Sequence, residues 1–142
     1  MDKKKAIINI GGSFLQIPGI KWAKELGLHV VLTDLNQEAG GRRYADDFKK
    51  ISGTDIPNLL QLAENLNNDF QLVGIYGSSD FSLPAVSIIS EKFNLPACSP
   101  IALKKSLNKS LAKNIWQKSN VPTPKGKIVN TVEEYKEVSK EI

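Results

Sequence analysis

The sequence predicts an α/β fold: a doubly wound, mostly parallel sheet of four to five strands with helices on both faces. Three observations carry this. Short apolar runs rich in β-branched residues, such as Ala6-Ile7-Ile8-Asn9-Ile10 and His29-Val30-Val31-Leu32-Thr33, alternate with longer stretches of helical periodicity. The runs are nearly unbroken, the mark of strands covered on both faces. Small or polar turns, Gly11-Gly12 and Gly77-Ser78-Ser79-Asp80, follow the first and fourth runs where helices begin. Strands and helices in alternation imply parallel strands joined by right-handed crossovers.

Taken in order, the first strand is Ala6 to Ile10, closed by Gly11-Gly12. A helix then starts near Gln16 or Ile17, because Pro18 is tolerated only in a first turn, where its missing N–H costs little. It runs to about Leu26, with Ile17, Ile20, Ala23 and Leu26 near one face, and Gly27 is a ready C-terminal stop. His29 to Thr33 is the second strand, ending at Asp34, and a polar stretch from Asn36 to Arg43 follows. Asp47 to Ile51 is a weak third strand. Thr54-Asp55-Ile56-Pro57 opens a helix with a capping residue and an early Pro, and Leu59, Leu62, Ala63 and Leu66 face inward as it runs to about Asn67. Leu72 to Tyr76 is the fourth strand, and a helix to about Phe93 turns Leu83, Val86, Ile89 and Phe93 inward. Leu95 to Ser99 suggests a short fifth strand. Two helices, 100–106 and 108–120, come next, then a Pro-rich break at Val121-Pro122-Thr123-Pro124. Gly126 to Asn130 reads as a further strand, and Thr131-x-x-Glu134 is a capping box opening a last helix.

Composition narrows the class. The 142 residues suffice for a domain with a real core, and 41% hydrophobic with 24% charged residues excludes a disordered chain. No apolar run approaches the ~18 residues of a membrane helix, and no signal-peptide pattern opens the chain. One cysteine, Cys98, cannot form an internal disulfide, which points to a reducing, cytoplasmic setting. Cys98 itself reads as a buried small residue. Residues 1–96 carry 10 basic and 11 acidic side chains, whereas residues 97–142 carry 9 Lys and 4 Glu. Those lysines are dispersed, without Arg and with a single aromatic, Trp116, before Tyr135, so no nucleic-acid partner is expected. No membrane partner is expected either.

The expected strand order is 3-2-1-4, with the fifth strand beside the fourth. The order reverses between strands one and four, and ligands bind outside the carboxyl ends of strands at such a reversal. The loops lying there are Gly11-Gly12-Ser13-Phe14 and Gly77-Ser78-Ser79-Asp80. Gly11 and Gly12 let backbone N–H groups approach a ligand at a helix start, or serve only as a tight turn. Ser78, Ser79 and Asp80 offer polar contacts, or cap the helix that follows. Asp34 ends the second strand, where it either lines the crevice or caps its rim. A dinucleotide fingerprint would need glycines at 11, 13 and 16, but Ser13 and Gln16 stand at two of those positions. No metal cluster and no Ser-His-Asp constellation is available around the single His29. Asp46 and Asp47, as neighbours on a strand, are expected to point to opposite faces.

Several segments resemble one family together. Ile8 to Pro18 resembles the opening of the ATP-grasp ligases, as do Ala23-Lys24-Glu25-Leu26-Gly27, Val31 to Asp34, and Tyr44-Ala45-Asp46. Gly77 to Asp80 with Leu83-Pro84-Ala85, Asn94-Leu95-Pro96, Asn108-Lys109, and Asn120 to Pro124 continue the series in order. The relatives in view are carbamoyl-phosphate synthase large chain, biotin carboxylase and phosphoribosylamine-glycine ligase. The resemblance implies a Rossmann-like N-terminal (pre-ATP-grasp) domain over 1–106. Residues 107–142 would be a linker helix and the truncated start of the ATP-grasp domain. It implies Mg-ATP phosphorylation of a carboxylate, then attack on the acyl phosphate by an amine or other nucleophile.

On that reading Gly11, Gly12, Gln16, Asp34, Gly77, Ser78, Ser79 and Asp80 face a small carboxylate or amine substrate. Lys109 inherits a contact to ATP phosphates, although Asn108 stands where the family commonly has Asp. ATP and Mg belong to the parent enzyme. The family's second Lys, glycine-rich phosphate loop and Mg-binding Glu/Asn pair are expected beyond Ile142. The fragment is therefore expected to fold, to hold no cofactor or metal, to contain no catalytic residue, and to be inactive alone. An unpaired strand at 126–130 would invite a homodimer through the C-terminal segment. Two other readings stay open: a stand-alone α/β ligand-binding or regulatory module, and a nicotinamide-dependent oxidoreductase.

Overall fold

In the computed structural model, which describes residues 3–140, the apolar runs become strands β1 (Lys5–Ile10) and β2 (His29–Thr33). Between them a 3-10 turn at Phe14–Gln16 leads into α1 (Ile17–Glu25), with Pro18 in its first turn. Gly27 at φ +75° lets the chain leave the helix, and Leu26 is exposed rather than inward. β3 is only Asp47–Lys49, shorter than expected. α2 (Ile56–Asp69) starts as its sequence requires: the Asp55 carboxylate accepts the Asn58 N–H at 3.3 Å, and Pro57 sits in the first turn. β4 (Gln71–Gly77) and α3 (Leu83–Lys92) follow, then α4 (Pro100–Leu107), α5 (Lys109–Lys118) and α6 (Val132–Val138).

The sheet is parallel with order β3-β2-β1-β4, as the alternation implies. Successive residues of each strand point to opposite faces, so one sheet supplies two cores. On one face Ala6, Ile8, Ile10 and Val31 pack against Leu59, Ala63 and Leu66 of α2 and Ala85 and Ile89 of α3. On the other, Val30 and Leu32 pack against Ile20 and Ala23 of α1. The register sets Ile10 level with Thr33 and Gly77, and Thr33 level with Lys49. All four strands thus end at one height, and the loops leaving them share one rim.

Two expected strands are absent among the described residues. Residues 95–99 form no strand. Asn94 at φ +52° closes α3, and the Leu95 N–H returns to the Ser90 carbonyl at 2.8 Å. Pro96 has no N–H to give a ladder, and the Cys98 carbonyl accepts from Ser87 Oγ at 2.9 Å. Leu95 is apolar because it packs on the α2–α3 core as part of that helix stop. Residues 126–130 also form no strand, so the strand edge expected to drive C-terminal association is not there. Cys98 is exposed rather than buried.

The chain divides into two compact units, Met1–Leu103 and Lys104–Ile142. In the second, Asn108 caps α5 by accepting the Leu111 N–H at 2.9 Å, which explains an amide at that position. Thr131 and Glu134 form the expected box: Thr131 Oγ1 accepts from Glu134 N at 3.1 Å, and Glu134 Oε2 accepts from Asn130 N at 2.7 Å. The Lys113 ammonium donates to the Pro124 carbonyl, holding the 121–126 stretch against α5.

Candidate functional site

At the carboxyl ends of β1, β2 and β4 lies a cavity of about 380 Å³. Its lining is hydroxyl-rich: Thr33, Ser52, Thr54, Ser79 and Ser82, with the Asp34 carboxylate, Gly11 and Gly53 beside them. Ile10, Leu35 and Phe81 supply the apolar wall. Polar atoms converging in a small cleft on apolar walls are what a small-molecule site requires.

Each loop has a local reason for its shape. Gly11 adopts φ +93°, and its N–H continues the ladder to the Thr33 carbonyl at 2.7 Å. Asn9 Nδ2 donates to the Gly11 carbonyl at 2.7 Å and fixes the turn. Gly12 is a glycine because of packing: a Cβ there would lie 2.9 Å from Leu32 Cδ2 and 3.0 Å from Ala39 Cβ. Its N–H donates to Asp34 Oδ2 at 2.7 Å, and its carbonyl accepts from Gly41 N at 2.8 Å. Asp34 uses its other oxygen for the Asn36 N–H at 2.8 Å. Asp34 therefore ties the loop after β1 to the loop after β2 while presenting its carboxylate at the cavity wall.

Gln16 does the corresponding work toward β4. Its side chain is buried, accepts from Ser13 Oγ, and donates through Nε2 to Ser78 Oγ at 3.0 Å. It clamps the two loops on either side of the order reversal. Gly77 is also dictated by packing, since a Cβ would fall 2.3 Å from Ser82 Oγ. Ser78, Ser79 and Asp80 do not cap α3 with their side chains. Instead the Ser79 carbonyl accepts from Ser82 N at 2.9 Å and from Ser82 Oγ at 2.8 Å. Ser79 Oγ donates to Ser82 Oγ at 3.2 Å. Asp80 is exposed, and its carboxylate bonds no other described residue.

Of the residues singled out in the sequence, Gly11, Asp34 and Ser79 line the cavity. Gly12, Gln16, Gly77 and Ser78 build the loops around it, and Lys109 is an exposed first-turn residue of α5 in the second unit. Sequence reasoning missed Thr33, Ser52, Gly53, Thr54 and Ser82. Thr33 is fully buried, and its Oγ1 has no hydrogen-bond partner among the described residues. Gly53 brings the loop after β3 against β1, a Cβ there falling 2.9 Å from Ile10 Cγ2. The signal for these residues was the same carboxyl-end rule, applied to all four strands rather than two.

A second polar cluster sits at the amino end of β2, away from the cavity. His29 stacks on Phe70 at 4.2 Å and bonds Asp47 through Nε2 at 2.8 Å, while Nδ1 lies 3.9 Å from Asp46. Asp46 precedes β3, so strict alternation does not apply, and both carboxylates face the same imidazole. Burial raises the Asp46 carboxyl, but the Lys24 hydrogen bond, the Val30 N–H and the charges of Lys24 and His29 hold it below its ordinary range. Among the described residues no three His, Cys, Asp or Glu side chains gather as a metal site, and no helix is long and apolar enough to cross a membrane.

An open parallel sheet with a polar cavity at its order reversal makes this an α/β domain of the doubly wound class. The model of the ATP-grasp N-terminal domain matches residues 20–97, and the chain belongs to that family. A search of the curated proteins finds no match. Among solved structures, phosphoribosylglycinamide synthetase from Anaerococcus prevotii is similar at 24% identity and a TM-score of 0.76, over 99% of this chain and 35% of that one. N5-carboxyaminoimidazole synthetase from Staphylococcus aureus, complexed with ADP, is similar at 20% identity and a TM-score of 0.73, over 98% of this chain and 37% of that one. L-amino acid ligase from Bacillus licheniformis follows at 17% identity and 0.67, over 99% of this chain and 43% of that one. These likenesses establish a shared fold, and this chain spans well under half of each of those proteins.

Proposed function

We propose that this chain is the acceptor-side domain of an ATP-dependent carboxylate–amine or related ligase that works through an acyl phosphate. The observation that carries the reading is the cavity at the ends of β1, β2 and β4, lined by Asp34, Ser52, Thr54 and Ser79, with the buried Thr33 and Ser82 beside them. Membership of the ATP-grasp N-terminal domain family supports it. So does the kind of protein that shares the fold, two synthetases and a ligase, one of them solved with ADP.

In this reading a small carboxylate or amine sits against Gly11, Asp34 and Ser79, with Asp80 within the same loop. Gly12, Gln16, Gly77 and Ser78 keep the two loops at a fixed spacing, so the acceptor is held rather than merely admitted. Holding two reactants in line is a large part of what such a ligase must supply. Lys109 is assigned to ATP phosphates. ATP and magnesium are assigned to the parent enzyme on the strength of the family. Magnesium-ATP supplies the activation of the carboxylate there, and this chain's residues bind and orient the acceptor. A cytoplasmic setting agrees with the single, exposed Cys98.

The 142-residue chain alone is then expected to turn over no ATP and form no amide. A coupled ADP-release assay on the purified chain tests this. ATP turnover that disappears in Lys109→Ala would overturn the assignment of phosphoryl transfer to the longer enzyme.

A further inference from the structure

α1 is apolar on two sides. Ile20 and Ala23 face the sheet and are buried. A second stripe at helical spacing, Leu15, Pro18, Trp22 and Leu26, borders the open part of the sheet beside Ile7, Asn9 and Tyr76. Leu15 is 80% exposed, Trp22 64% and Leu26 77%. The stripe borders a groove of about 520 Å³. Gly19 and Tyr76 form its floor: a Cβ on Gly19 would lie 3.3 Å from Tyr76 Cε1, so the missing side chain lets the ring lie close to the helix. Trp22 on α1, Leu15 in the turn before it and Leu26 just after it are exposed together beside a ready-made slot, and mark an interaction surface rather than scattered surface hydrophobics.

We propose that the occupant is a second copy of this chain, docked by a two-fold axis across α1. Knob and slot lie on one surface: Trp22 of α1 is the knob and the groove between Gly19 of α1 and Tyr76 of β4 is the slot, which is what a self-complementary contact needs. The charges on its rim agree. Lys21 and Glu25 are exposed on one flank of the stripe, four residues apart. In an antiparallel two-fold pair each Lys21 faces the partner's Glu25, and each Glu25 the partner's Lys21. Covering the exposed parts of Leu15, Trp22, Leu26 and Tyr76 removes roughly 500 Å² per copy, so the pair buries about 1,000 Å², the lower bound for a specific interface. The expected state is a reversible dimer of micromolar strength. This relocates self-association from the C-terminal segment to α1.

Sedimentation equilibrium of the 142-residue chain across a micromolar concentration series tests the proposal, with circular dichroism confirming that each variant folds. The wild-type chain should dimerise, and Trp22→Glu should be monomeric. Lys21→Glu and Glu25→Lys each place like charges face to face and should each weaken the dimer about tenfold. Mixed together, those two variants restore both opposite-charge pairs and should form a heterodimer near wild-type strength. A wild-type chain that stays monomeric at its highest soluble concentration overturns the proposal. So does a dimer indifferent to Trp22→Glu, or a mixture no tighter than its components.

Discussion

Asp34→Ala separates a carboxylate that only waits for a ligand from one that also holds the crevice together. Asp34 Oδ2 takes the Gly12 N–H at 2.7 Å and Oδ1 takes the Asn36 N–H at 2.8 Å. Gly12 is buried, whereas Asn36 is exposed. Removing the carboxylate therefore leaves one donor without water and one with it. A hydrogen bond to a charged group contributes about 1.5–3 kcal/mol, and an unpaired buried donor costs about 1–3 kcal/mol. The Asn36 bond is replaced by water at little cost, so Asp34→Ala should lose about 2–3 kcal/mol. That is a large share of the roughly 5–15 kcal/mol that holds a domain folded. With a urea slope of about 1–2 kcal/mol/M, the midpoint followed by circular dichroism should fall by about 1–2 M with the slope unchanged. Asp34→Asn can turn its carbonyl toward Gly12 and its amide toward the solvated side, so it should lose only about 1 kcal/mol. Stability of Asp34→Ala within about 0.5 kcal/mol of wild type would refute the reasoning and leave Asp34 a ligand contact alone.

Two further predictions concern side chains the fold treats unequally. Thr33→Val removes a fully buried hydroxyl that has no partner, so the folded chain should be as stable or up to about 1 kcal/mol more stable; a loss above that in thermal unfolding would mean that Oγ1 is satisfied. Asp46 has a folded-state pKa held below its unfolded value, so its contribution is present above the unfolded value and is lost as pH falls through the folded one. Asp46→Asn should cost up to about 1 kcal/mol at neutral pH, and the gap to wild type should close on acidification in urea melts at successive pH values.

Much of the fold was legible because its signals are local. The unbroken run from Ala6 to Ile10, Pro18 in a first turn, and the Asp55 cap all act within a few residues of themselves. Strand–helix alternation and the handedness of crossovers implied a parallel doubly wound sheet, and the expected order 3-2-1-4 is the one found. The two misread strands show the limit. Leu95 to Ser99 and Gly126 to Asn130 have strand-like composition, but a strand exists only where a neighbour pairs with it. Asn94 and Pro96 spend the first segment on a helix stop, and the second has no partner strand among the described residues. The site divides the same way. The loops at 11–14 and 77–80 were legible from topology. The reasons for Gly12 and Gly77 were not, because Leu32, Ala39 and Ser82 press on them only in the folded chain. The clamp between Gln16 and Ser78 joins residues 62 positions apart, a distance over which no spacing rule operates.

In the proposed function the cavity at the carboxyl ends of β1, β2 and β4 receives the acceptor. A ¹H–¹⁵N NMR titration of the labelled chain with a panel of small carboxylates, amines and amino acids tests this. At least one probe should give saturable shifts centred on Gly11, Thr33, Asp34, Gly53 and Ser79, and Asp80→Asn should weaken them while leaving the remaining amides in place. Saturable shifts confined to residues elsewhere in the chain, with the amides of Gly11, Asp34 and Ser79 unmoved, would contradict it.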